Sequence, residues 1–370
     1  MNASRLLEIV NLLASTERKR KIQEALSNAN SALSSLVSQP SQPSHQSEFA
    51  AALEKLRTLM NEVREGFQPA QVKLLEEIGA AQFFTNDLAS KIAGWVAENV
   101  ATPAVAQEKL STLLSERETY LTEIRQLREN LVKVGIEVNG LEVGQAEIGF
   151  LLPRELFDNN LDHLIKELDV VKKIMRTFSE AATGSVEPIE VRQISTSDPL
   201  FFFGLAPETI ALIGASITWA LHTWKQAEEI RKIRAETEKI AAFKDDPIER
   251  LFEDKIKSQV EQALTAQTAE IMKEVKGDRA RKNEQKTQIK WALESIISRV
   301  ERGMIVEIRL LPPPIPKANE GEEQPEPPPV FGDLNRIASQ LVFPKMEGAP
   351  ILQIPPSEPE PPRKSATKND

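Results

Sequence analysis

Apolar residues recur every three or four positions through most of the chain. Between residues 3 and 37 they fall at Leu6, Ile9, Val10 and Leu13, then at Ile22, Leu26, Leu33 and Leu36, the spacing of one helix face. Ser38-Gln39-Pro40-Ser41-Gln42-Pro43-Ser44 follows. Two prolines among Ser and Gln neither propagate a helix nor build a core, so residues 38–47 are expected to be a linker. A second helix runs from about Glu48 to Glu65, with Leu53, Leu56, Leu59, Met60 and Val63 on its stripe. Gly66 closes it and Pro69 opens the next. Residues 69–101 read as one long or two shorter helices. Residues 103–133 carry Leu110, Leu113, Leu114, Leu121, Ile124, Leu127 and Leu131 on one face. Residues 1–37 form an N-terminal helix, and 48–133 predict an antiparallel helical bundle or coiled-coil stalk.

The period then changes. Lys133–Val138 alternates, Asn139-Gly140 is a two-residue hairpin signal, and Ala146–Leu152 is a short apolar run ended by Pro153. A helix over 154–182 is expected to bury Leu156, Leu161, Leu164, Ile165, Leu168, Val171, Ile174, Met175 and Phe178, and Gly184 stops it. Residues 189–194 alternate as a strand, 200–205 form a second, and Pro207-Glu208 opens a helix reaching to about Phe243. Residues 247–302 are helical with an interruption near Gly277-Asp278, and 304–311 alternate again. The chain is therefore α+β and predominantly α-helical. Its part 134–311 has the element order of a split β-α-β, ferredoxin-like module, with a projecting helical hairpin at about 226–302.

Residues 312–370 hold 15 of the 24 prolines, too many to bury enough apolar surface against chain entropy. A disordered, acidic, proline-rich tail is expected. Its one amphipathic island, 333–343, carries Leu334, Ile337, Leu341 and Val342, suited to docking on a partner or folding back. Pro359, Pro362 and Lys364 have the spacing of a polyproline II ligand with a basic anchor.

Composition narrows the function. The 370 residues include no cysteine, which excludes disulfides, thiol catalysis, iron–sulfur clusters and cysteine-ligated zinc. Aromatics at 5% are too sparse for a base-stacking or sugar-binding platform. A net charge of −9 argues against nucleic acid, because the basic runs at 18–21 and 279–282 lack interleaved aromatics. In the first helix the charges follow the apolar stretch, unlike a secretion signal, so a cytoplasmic location is expected.

Candidate chemistry is thin. His45 lies in the expected linker. His163 and Glu167, four apart on a helix, could present two metal ligands but need a third, and His222 sits between Trp219 and Trp224. Gly135, Gly140, Gly144 and Gly149 are too widely spaced for a phosphate loop, and pairs such as Glu76-Glu77 and Asp245-Asp246 read as solvated faces. No catalytic residue, cofactor, metal or small-molecule substrate is identified. The expected function is that of a non-enzymatic, self-associating adaptor or scaffold. It would bind copies of itself and other proteins through Ile230, Ile233, Ile240, Leu251 and Ile256 and through the tail. The alternative rests on Leu200–Leu221, 22 residues with the single charge Glu208, long enough for a membrane span using Phe201, Phe202, Phe203, Ile210, Ile213, Ile217, Trp219 and Trp224. That would make the protein a regulated effector, for example in cellular defence, that anchors in or permeabilises the inner or plasma membrane. Pro207 and Glu208 suit a helix start better than a span.

Overall fold

The computed structural model describes residues 3–138, 141–195, 199–238, 246–276, 281–313, 328–343 and 350–356. It is mostly helical with one small antiparallel sheet, and it divides into two compact units, Met1–Gly140 and Leu141–Asp370.

The first unit is built from α1 (Ala3–Arg20), α2 (Ile22–Ser38), α3 (Pro43–Glu65), α4 (Pro69–Glu77), α5 (Ala81–Phe84), α6 (Leu88–Glu98) and α7 (Pro103–Lys133). Three of these begin on proline, whose fixed φ and missing N–H suit the first helical turn. Their stripes share one core in which Val10, Leu13, Ile22, Leu26, Leu33, Leu56, Phe84 and Leu110 are fully buried. The continuous helix expected over 3–37 breaks at Lys21, which takes a left-handed conformation at φ 54°. The Glu17 carboxylate meets the break, accepting the Gln23 N–H at 2.9 Å and pairing with Arg117 of α7. Arg117 is fully buried. It also donates to Gln23 Oε1 at 2.9 Å and lies over the Phe84 ring, so the kink is fixed by a satisfied polar network. The expected ten-residue linker is only the turn 39–42, because Pro43 starts α3 instead of ending a helix. Lys133–Val138 forms no strand. α7 runs through Lys133, irregular backbone follows to Val138, and Asn139-Gly140 lies outside the described residues.

In the second unit β1 (Gln145–Leu151) leads through a 3-10 turn at Arg154–Leu156 to α8 (Leu161–Thr183). Then come β2 (Glu190–Ser195), β3 (Leu200–Gly204), α9 (Pro207–Glu238), α10 (Asp246–Glu274), α11 (Lys282–Val300), β4 (Ile305–Leu311) and α12 (Pro329–Gln340). The sheet order is β2-β3-β1-β4 and every neighbour is antiparallel. Ile148 stands opposite both Phe203 and Ile308, and Phe150 opposite Phe201 and Val306. The pleat therefore gathers these six on one face, where they join the core with α8, α9 and α11. The opposite face carries Glu147, Phe202, Glu307 and Arg309. Arg309 bonds Glu147 and Glu307, each at 3.2 Å, and lies 4.1 Å from the centre of the Phe202 ring. That ring crosses Gly149, where a Cβ would stand 2.5 Å from it.

The 200–221 segment is a strand and a helix start. Phe201 and Phe203 line the helix-covered face of β3, Phe202 points to the other, and the strand ends at Gly204. Pro207 starts α9, with Glu208 in its first turn, and Ile210, Ile213 and Ile217 are fully buried in the core. Among the described residues no helix is long and apolar enough to cross a membrane, so the span reading is corrected: the segment is divided between a five-residue strand and the start of α9, a long helix with charged residues beyond Trp224. The tail expectation also changes. α12 packs on α9 and β4, its Ile337 entering the space left by Gly214, where a Cβ would meet Ile337 Cγ2 at 2.6 Å. Residues 350–356 are ordered against α11 as well. The amphipathic island thus folds back on its own chain, while Pro359, Pro362 and Lys364 lie outside the described residues.

Candidate functional site: an apolar groove between α8 and the sheet edge

β2 is an edge strand, and its pairing with β3 shifts between Val191 and Gln193. Val191 stands opposite Phe203 and Ile194 opposite Phe201, whereas Gln193 stands opposite Phe202. Arg192 is the inserted residue of a β-bulge, and its guanidinium reaches across Gly204 to Gln145 Oε1. The bulge matters because strict alternation would put Val191 and Ile194 on opposite faces. The extra residue returns Ile194 to the side of Val191, and both stand 55–57% exposed on the helix-bearing face.

α8 forms the other wall. Asn160 caps its start, accepting the N–H groups of Asp162 at 2.8 Å and His163 at 3.3 Å, and Gly184 ends it at φ 84°. Its buried side is Val170, Val171, Ile174, Met175 and Phe178, with Glu167 turned inward among them. The Glu167 carboxylate takes Arg299 Nε at 2.7 Å and Nη2 at 3.1 Å, and Arg299 is 1% exposed. This two-point pair fixes the roll of the helix. Leu161 and Ile165, expected in the core, consequently stand outside it, 69% and 56% exposed. They begin a stripe that continues through Leu168 to Lys172 at intervals of four, three and four residues.

Between these walls lies a groove of about 600 Å³, with the buried Phe201, Phe203 and Met175 as its floor and Val186 and Pro188 also in its lining. Charge is confined to the rim, at Lys172, Arg176 and Glu187. Asp169 pairs with Lys172 and with Lys173 (3.0 Å to the latter). The hydrogen bond from Lys172, then that from Lys173, holds its carboxyl below the usual range. The site therefore presents aliphatic and aromatic surface to solvent beside the charged groups of Lys172, Arg176 and Glu187.

Of the residues singled out from the sequence, Phe201 and Phe203 line this groove, and the other described ones do not. Ile256 is buried in the chain's own core and Ile230 is half-buried against it, while the side chains of Ile233, Ile240 and Leu251 lie outside the described residues. Trp224 is buried, Trp219 half-buried and His222 exposed. His163 faces Asp158 at 3.6 Å, far in character from Glu167 in its buried pair. Among the described residues no three His, Asp or Glu side chains are grouped to hold a metal ion. His45 belongs to the first turn of α3, beside Glu48 at 3.2 Å. The signal that sequence reasoning missed is the pair Val191 and Ile194, whose three-residue spacing in a strand marks a bulge when both are apolar. Compared with protein-family models, curated proteins and solved structures, the chain matches none.

Proposed function

We propose that the protein is a non-enzymatic, self-associating scaffold, and that two copies meet through the α8–β2 face. One observation carries this reading: Val186, Val191 and Ile194 stand 44–57% exposed in the lining of a largely apolar groove, and Leu161 and Ile165 of α8, 69% and 56% exposed, extend the stripe that Leu168 brings to it. Aliphatic side chains gathered this way mark an interface, whereas scattered ones do not. A two-fold contact suits the face, since the Leu161–Ile165–Leu168 stripe can lie antiparallel against itself. Its magnitude can be worked out. Finishing the burial of five half-exposed aliphatic side chains contributes about 1 kcal/mol each, or about 10 kcal/mol for two copies. Lost rigid-body freedom takes back at least ~4 kcal/mol. What remains corresponds to a dimer dissociating at roughly tens of micromolar.

Within this reading the sheet is that of a split β-α-β, ferredoxin-like module, with α10 and α11 as its insertion. The first unit is a helical bundle that presents further partner surface, and the proline-containing residues 357–370 recruit other proteins in the cytoplasm. Sedimentation equilibrium of the full chain between 1 and ~200 micromolar tests the proposal, a range set by the affinity above. Ile165→Glu and Ile194→Glu change exposed side chains and should leave folding within about 0.5 kcal/mol of wild type. Each is expected to abolish the concentration-dependent rise in mass. A wild-type chain that stays monomeric throughout, or variants with unchanged association, would refute it.

A further inference from the structure

The exposed face of α8 carries its charges in order of sign. Asp158 in the preceding turn and Asp162 in the first helical turn lie at the N-terminal end, and Lys172 and Arg176 follow Leu168 toward the C-terminal end. Asp162, Ile165, Lys172 and Arg176 are three, seven and four residues apart, so they share one side of the helix. Lys166 points about 100° away from Ile165, as the helical repeat requires. Attraction of acids to a helix N-terminus and of bases to its C-terminus accounts for the order of sign. It does not account for Ile165 standing 56% exposed between them. Among the described residues Asp162 and Arg176 form no ion pair. Lys172 pairs with Asp169, but that carboxylate also holds Lys173, so Lys172 can turn elsewhere without stranding it.

A two-fold axis crossing α8 at the level of Glu167, between Ile165 and Leu168, sets two copies of the helix antiparallel. Asp162 lies five residues before that level and Lys172 five after it, about 7.5 Å each way at the helical rise of ~1.5 Å per residue. The operation therefore sets Asp162 of each copy level with Lys172 of the other and brings Arg176 toward the Asp158 turn, while Ile165 and Leu168 close over the centre. A parallel pairing would set every charge level with its own like. We propose that the α8 face selects a second copy of this chain in this antiparallel register, and that the reciprocal pair of Asp162 with Lys172 specifies it. The inference rests on the self-association proposed above and adds the register and the residues that choose the partner. Aliphatic burial supplies the affinity. The charges flanking it contribute less to affinity than to the rejection of wrong partners and registers.

The test uses full-length Asp162→Lys, Lys172→Glu and the chain carrying both, compared with wild type by sedimentation equilibrium at low ionic strength, where screening is least. Either single reversal places two like-charge pairs across the axis and should weaken self-association roughly tenfold or more. An equimolar mixture of the two single variants should associate as wild type does, because both pairs across a mixed dimer are attractive. The double variant restores both pairs with signs exchanged. It should self-associate like wild type and yet fail to pair with wild type. Should a reversal unfold the chain by circular dichroism, Asp162→Asn, Lys172→Gln and their combination form a double-mutant cycle whose effects should be less than additive, strict additivity overturning the pairing. A wild-type chain that stays monomeric overturns the face and this inference with it. Wild type that associates no better than the single variants overturns the register alone and leaves the face. Weakened single variants that recover neither in the mixture nor in the double variant likewise overturn the pairing.

Discussion

Replacing Glu167 with Gln isolates the contact that sets the roll of α8. Arg299 is 1% exposed and its guanidinium has two-point contact with the Glu167 carboxylate, at 2.7 and 3.1 Å, plus Ser295 O at 3.2 Å. The amide keeps the volume and one acceptor oxygen but removes the charge and the second acceptor, leaving a buried guanidinium with no counter-charge at that contact. Uncompensated buried charge of this kind costs about 3–5 kcal/mol. At about 2–4 °C per kcal/mol for a domain of 150–250 residues, the transition should fall by roughly 6–20 °C. The pair itself adds little net stability, so an apolar double replacement, Glu167→Leu with Arg299→Met, should recover most of the loss or exceed wild type. Thermal unfolding followed by circular dichroism gives the magnitude, and hydrogen exchange along α8 and α11 locates it. A Glu167→Gln chain within about 1 kcal/mol of wild type would mean that water reaches the guanidinium, refuting the burial on which the argument depends.

Other substitutions test separate parts of the account. Tyr120, the chain's one tyrosine, donates to Ile78 O at 3.0 Å, and burial, then the nearby Glu123 charge, pushes its phenol up to about 12. Its neutral form stabilises the fold below the ordinary value of 10 and this is lost as pH rises toward 12, so phenolate absorbance appearing near 10 in folded protein would contradict the packing. Asp87 caps α6 through the Ser90 hydroxyl at 2.6 Å and N–H at 2.9 Å, bonds that hold its carboxyl below the usual range. Asp87→Ala should cost about 0.5–2 kcal/mol at neutral pH in urea unfolding. Since a lowered folded value gives stability that is lost on acidification, the deficit should narrow as pH falls through the carboxylate range. Gly214→Val drives a side chain into Ile337 and Ile308. It should cost about 1–3 kcal/mol and speed amide exchange in α12, whereas unchanged exchange would show that α12 does not need that gap.

Local pattern was enough for most of the elements. Proline at Pro69, Pro103 and Pro207 opens helices, and the period-2 runs around 190 and 305 and the apolar run at 200 become strands. What escaped the pattern has one cause: partners distant in sequence. Glu167 and Arg299 are 132 positions apart, and their pairing rolls α8 so that Leu161 and Ile165 leave the core. Lys21 breaks a helix because Glu17 is drawn to Arg117, 100 positions on. Prolines made residues 350–356 read as disordered, yet proline at a segment's ends does not prevent its remaining N–H groups from finding Glu301. The apolar groove was hidden in the same way, since strict alternation separates Val191 from Ile194 and only the bulge at Arg192 reunites them.

The central claim is that copies of the chain meet through α8 and β2. The absence of native cysteine allows a direct measurement. Single cysteines would be placed in turn at Leu161, Ile165, Val191 and Ile194, and at Val100 and Val342 as exposed controls on other elements. Mild oxidation at a protein concentration that favours the dimer is then followed by non-reducing electrophoresis. A two-fold contact brings each residue near the axis against its own copy, so at least one position on the face should give covalent dimer rapidly while the controls stay monomeric. Equal, slow crosslinking at all six positions would contradict the account and reduce the exposed apolar face to chance surface.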